Sequence, residues 1–122
     1  MRWVQQFVVL CVLLVCAGNA LGDKLEREVG KAFSRIGIGP NQTEAYSVLY
    51  EKFLKKRNAA MRKVRNRSSG EEVGVKAKKA ARRAARKSVK EMADVLTDLQ
   101  LKYYEEYLEV ANKLFLREAG LR

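Results

Sequence analysis

At 122 residues the chain has room for one small domain, and 25 Lys and Arg against 14 Asp and Glu give it a formal charge of +11. It contains no histidine, which excludes a His general base, His metal ligands and a histidine pH switch. A charge this positive favours polyanionic partners over acidic or neutral ones.

The chain begins with Arg2, then an apolar run, FVVLCVLLVC at residues 7–16, then the small residues Ala17, Gly18, Ala20 and Gly22. This is the three-part pattern of a secretory signal peptide over residues 1–22. The apolar core is too short for a spanning helix, which needs about 20 residues. The mature protein is therefore expected to be secreted and extracellular. Cys11 and Cys16 leave with the peptide, so the mature chain has no cysteine, and disulfides and Cys-ligated metals are excluded with them. No cofactor is expected. There is no phosphate loop, no nucleophile motif and no carboxylate pair that stands out, so an enzyme is not expected.

The charge is uneven. Residues 23–70, read as a basic two-helix region, carry 12 basic and 5 acidic groups; residues 71–90 carry 8 and 2; residues 91–122 carry 4 and 7. Residues 71–122 read as one long amphipathic helix with a basic first half and an acidic, aromatic second half.

The first mature helix is expected from Lys24 to Ile36, where Leu25, Val29, Phe33 and Ile36 form a narrow apolar stripe. Gly37-Ile38-Gly39-Pro40 stops it, because Pro40 disfavours helix in the residue before it. A second helix is expected from Asn41, with Asn41 as N-cap and Glu44 completing a capping box, to about Arg67. Its apolar face includes Ala45, Leu49, Phe53, Met61 and Val64, and its opposite side carries Lys52, Lys55, Lys56, Arg62 and Lys63. Ser68-Ser69-Gly70 breaks it, with Ser68 and Glu71 or Ser69 and Glu72 available to cap the next helix.

That third segment has no proline and, after Gly74, no glycine until Gly120. In its first half, eight cations sort to one side of a helical wheel: Lys76, Lys78, Lys79, Arg82, Arg83, Arg86, Lys87 and Lys90. Ala77, Ala80, Ala81, Ala84, Ala85 and Ser88 fill most of the other side, and Val89 strays among the cations. Like charges at i,i+3 and i,i+4 repel, so this flank points to a polyanion: an anionic lipid surface, lipopolysaccharide or a glycosaminoglycan, with nucleic acid bound only non-specifically. Alanine opposite the cations buries little area, so docking is expected to be electrostatic and this half to order on contact.

In the second half the stripe becomes bulky, through Met92, Leu96, Leu99, Tyr103, Tyr107, Val110 and Leu114, spaced like a heptad seam. It reads as a core or coiled-coil seam, or as a face for lipid chains or a partner groove, and a homo-oligomer is expected. The bulky stripe is out of phase with the alanine face, so a bend or break is expected between Ser88 and Gln100, with Thr97 and Gln100 offering an internal cap. The fold class expected is therefore all-α: an extended protein of two shorter helices and one long bent helix, coiled-coil-like in its C-terminal half. A structural protein that self-assembles by pairing basic halves with acidic tails is the rival reading. Asn41-Gln42-Thr43 and Asn66-Arg67-Ser68 are N-glycosylation sequons at Asn41 and Asn66.

The KAKKAARRAARK stretch at residues 76–87 and the amphipathic tail at residues 92–115, on a small Cys-free helical chain with a signal peptide, resemble the helminth defence molecules of parasitic flatworms, which include stathmin-like schistosome immunomodulators. The resemblance is one of pattern, and cathelicidin-type peptides share much of it. It implies secretion by a parasite, binding to host membranes or lipopolysaccharide, oligomerisation and damping of innate immune signalling. It transfers no site residue. Residues 52–67 and the sequons lie outside it.

Overall fold

The computed structural model describes residues 24–121; the signal-peptide reading of residues 1–22 lies outside them. Four helices follow in order: α1 (Lys24–Ile36), α2 (Thr43–Arg67), α3 (Glu71–Met92) and α4 (Asp98–Glu118). The described residues are all-α.

α1 ends where Gly37 takes φ 65°, a left-handed conformation that glycine adopts without a Cβ penalty. α2 begins one residue later than its sequence suggests. Gln42, not Asn41, is the N-cap, and no side chain caps the helix. The expected capping boxes at the start of α3 are absent as well: Gly70, at φ 65°, is the N-cap there and no side chain bonds to the helix end. Ser68 turns its Oγ into a buried position where it has no partner among the described residues.

The expected long helix is two helices. α3 closes at Met92, residues 93–97 turn, and α4 starts from Thr97 with a complete capping box: Gln100 N donates to Thr97 Oγ1 at 3.2 Å and Thr97 N donates to Gln100 Oε1 at 3.0 Å. The turn lets α4 fold back on α3, so the extended rod becomes an up-and-down bundle. α3 packs backbone-close on α2 and on α4, and α1 packs on α4. Alanines allow this: Ala77 and Ala81 are fully covered, and a helix surface built of methyl groups admits a close neighbour.

α2 and α4 meet through long side chains instead. Tyr50 and Tyr107 share a hydroxyl hydrogen bond of 2.7 Å across that gap, and Tyr46 and Tyr104 meet edge to face with centroids 5.7 Å apart. Phe33 of α1 closes edge-on against Tyr107 at 5.5 Å. These rings form the main core with Val29, Ile36, Phe53, Met92, Leu96 and Leu108; each such side chain stabilises the fold by about 1.5–3 kcal/mol when fully buried. A smaller cluster at the other end joins Met61, Ala77, Ala81 and Leu116.

A polar layer separates the two clusters. Arg57, only 8% exposed, lies between Phe53 and Met61 on α2 and donates from Nη1 to Asn112 Oδ1 of α4 at 3.1 Å. Asn112 Nδ2 in turn donates to the Ala81 carbonyl of α3 at 3.1 Å. One amide thus ties three helices together. The guanidinium also lies over the ring of Phe115, 3.8 Å from its centroid, and 5.1 Å from that of Phe53. Burial lowers the Arg57 pKa because desolvation penalises its charge.

The bulky seam is corrected in phase. Tyr104, Leu108, Ala111 and Leu116 are buried on α4, whereas Leu99 is 61% exposed and Tyr103, Val110 and Leu114 lie half-buried at the side of the core. The stripe is spaced as if one helix ran through residues 93–97, although a bend or break is expected there. The turn there resets the helical phase, so a stripe extrapolated from Met92 no longer marks the inward side of α4.

Candidate anion-docking face

The alternation in α3 puts its two sides in different surroundings. Lys76, Lys78, Lys79, Arg82, Arg83, Arg86, Lys87 and Lys90 are all exposed. Ala77, Ala81 and Ser88 are buried, and Ala80, Ala84, Ala85 and Val89 are partly covered. Ser88 is anchored: its hydroxyl and that of Tyr104 lie 2.6 Å apart. The alanine side, expected to order only on contact, is already packed against α2 and α4. The cationic flank therefore stands on a finished support.

α2 adds a second row of charge beside the first. Lys52 and Lys56 reach Glu91 of α3 at 3.2 and 3.5 Å, which fixes the antiparallel register of the pair. In that register Lys56 lies against Lys87, and the nearness of that second ammonium is the main reason its pKa is lowered, with partial burial adding to it and Glu91 opposing. Two cations from separate helices thus stand close together, and Glu91 pairs with the one on α2, as it does with Lys52. Burial alone would raise the Glu91 pKa, but Lys52 and Lys56 outweigh it and hold the carboxyl below its ordinary range. Elsewhere on α3, Glu72 pairs with Lys76 at 3.7 Å within the helix.

The acidic tail is not the partner of this flank within the chain. Glu105, Glu106 and Glu109 are exposed on α4, and among the described residues no salt bridge joins them to α3. The charges are segregated by helix, basic on α2 and α3, acidic on the outer side of α4.

The face expected to meet lipid chains or a partner is turned mostly inward. Met92, Leu96 and Tyr107 are in the core, with Tyr103, Val110 and Leu114 packed beside it, and Leu99 is the member left at the surface. Both sequon asparagines, Asn41 and Asn66, are exposed; Thr43 Oγ1 of the first sequon donates to the Gly39 carbonyl at 3.0 Å. Among the described residues no cluster of carboxylates could hold a metal, and no helix is long and apolar enough to cross a membrane.

Sequence reasoning missed Glu91 and the pairing of Lys56 with Lys87, because both depend on the register of α2 against α3. It also missed Arg57, a cation that the helical pattern places in the core. Comparisons of the chain with family models, with curated proteins and with solved structures give no match.

Proposed function

We propose that the protein is a secreted cationic module that docks on anionic surfaces, phospholipid or lipopolysaccharide, through the exposed flank of α3 and the adjoining lysines of α2. One observation carries this reading: eight cations of α3 are exposed while the alanines behind them are packed, so repulsion among the charges is held in place by the fold rather than relieved by it. The convergence of Lys56 on Lys87 supports it further.

Docking is then a rigid-body event. The apolar residues of α4 stay in the core, and the surface is met by charge alone. Each cation near an anionic leaflet contributes about 1 kcal/mol, and several together suffice for reversible binding. The segregated acidic side of α4 orients the molecule with α3 toward the surface. On lipopolysaccharide the same contact covers phosphates, which fits the damping of innate signalling that the resemblance implies. A homo-oligomer, with Leu99 in the contact between copies, belongs to the same proposal.

Co-sedimentation with vesicles tests it. The mature protein should pellet with phosphatidylglycerol-containing vesicles, stay in solution with phosphatidylcholine alone, and be released as salt shortens the screening length below about 10 Å. The variant R82Q/R83Q/R86Q/K87Q should lose binding with its circular dichroism unchanged. Equal binding to both vesicle types, or full binding by that variant, overturns the proposal.

A further inference from the structure

Between α2 and α4, beyond the Arg57–Asn112 layer, the two helices leave a pocket of about 660 Å³. Its α2 wall carries Lys55, Arg62 and Arg65, with the small Ala59 between them; Phe115 and Ala119 of α4 form the other wall. On α2 the three cations recur at i, i+7 and i+10, which spaces them about 10 and 5 Å along the axis and within about a quarter turn of one another. The volume falls in the range of small-molecule sites, roughly 300–1,000 Å³. No carboxylate lines it; Lys55 pairs with Glu51, one turn back on α2, at 3.6 Å, and the two arginines form no salt bridge among the described residues.

This wall is not the docking flank. Lys52 and Lys56 mark the side of α2 that meets α3, whereas Lys55, Arg62 and Arg65 are exposed on its outer side, where they border the groove shared with Phe115 and Ala119 of α4. A second, independent feature adds positive charge there. Arg57 is buried, makes no salt bridge among the described residues, and has no partner for its Nε. Its guanidinium stacks on Phe115, the same ring that lines the pocket. A cation behind an apolar wall is screened less than one in water, so its field reaches an anion in the pocket.

We propose that this pocket binds a single-chain phosphate amphiphile of the lysophosphatidate class. The two arginines offer planar forks suited to a phosphate monoester and Lys55 a third charge. The apolar body of the ligand lies against Phe115 and over Ala59 and Ala119, whose methyl groups leave it room. The inference goes beyond surface docking and does not need it, since the ligand is a monomer held by a different side of α2.

Isothermal titration calorimetry of the mature protein with oleoyl-lysophosphatidate below its micelle concentration tests this. A single saturable site is expected. Glycerol 3-phosphate, which has the head without the chain, and oleoyl-lysophosphatidylcholine, which has the chain without a net charge, should each bind at least about tenfold more weakly, the loss of one charge-assisted or apolar contribution. R62Q/R65Q should weaken binding by about tenfold or more, and A59F, which fills the pocket from the exposed side of α2, should do the same while leaving vesicle docking intact. The R82Q/R83Q/R86Q/K87Q variant should keep the calorimetric site. Unchanged affinity in A59F overturns the pocket. So does joint loss of both activities in R82Q/R83Q/R86Q/K87Q, which would mean that one general cationic surface accounts for both. If vesicle docking fails and the calorimetric site remains, the docking proposal falls and this one stands.

Discussion

Gln42 and Gln100 exchange amide hydrogen bonds, Gln42 Nε2 to Gln100 Oε1 at 2.8 Å and Gln100 Nε2 to Gln42 Oε1 at 3.0 Å. Each amide also reaches backbone beyond the pair. Gln42 Nε2 donates to the Val95 carbonyl at 2.9 Å and Gln100 Nε2 to the Gly37 carbonyl at 3.0 Å. Two connections far apart in sequence, the one after α1 and the one before α4, are thereby fastened at the same end of the bundle.

Substituting either glutamine with alanine should destabilise the fold by about 1–3 kcal/mol, because the remaining amide and the carbonyls lose their partners. The double variant should cost little more than the worse single one, and its shortfall from the sum of the two single losses is the coupling of the pair. Urea unfolding followed by circular dichroism measures all three. Additive losses would show that the two amides act separately.

Asn112→Leu should be more damaging, at about 3 kcal/mol, since it leaves the Arg57 guanidinium buried with no acceptor. Adding Arg57→Met should recover much of the loss, because an apolar pair of similar size removes the stranded charge. Thermal denaturation of the single and double variants checks the order: N112L least stable, R57M/N112L close to the parent.

Tyr104 and Tyr107 have pKa values raised above 10.0, chiefly by burial, which disfavours the phenolate. A raised pKa means that the folded chain holds the proton more tightly than the unfolded one. The stability this confers is complete below the ordinary tyrosine pKa of 10.0 and is lost as pH climbs from there toward the folded values. Tyrosinate absorbance should therefore rise in part only together with the loss of helical circular dichroism. Full ionisation of the tyrosines in a protein still helical would contradict the buried placement.

Glu91→Gln should have opposite effects on two measurements. It removes the carboxylate shared by Lys52 and Lys56, so stability at neutral pH should fall. It also adds one net positive charge to the docking face, so the affinity for anionic vesicles should rise. The Glu91 pKa is depressed in the fold, and its contribution is present above the ordinary carboxyl pKa of 4.5 and lost as pH falls through the folded value. The stability difference between parent and variant should shrink in that acid range. A variant weaker in both readouts would place Glu91 in the fold alone.

The helix bounds of α1, the stop at residues 68–70 and the Thr97 capping box could be read from the sequence because each depends on residues within a turn or two of one another. So could the sidedness of α3, since a helical wheel needs no neighbours. The break before Thr97 could be read as well, but not the rotation of α4 that it brings; that depends on register between helices, as do the burial of Arg57 against Asn112 and the meeting of Lys56 with Lys87. Gln42 illustrates the limit locally. Asn41 is the better cap by propensity, yet a long-range bond to Gln100 moves the helix start past it.

The alanines of α3 carry one more consequence. By letting α2 lie close, they set how far apart the two rows of cations stand, and hence how much charge falls on each patch of the outer surface. A helix with leucines in those positions could fold as well, but it would hold its neighbour farther off and dilute the field between them. The smallest side chains in the bundle thus govern the strength of its largest charge.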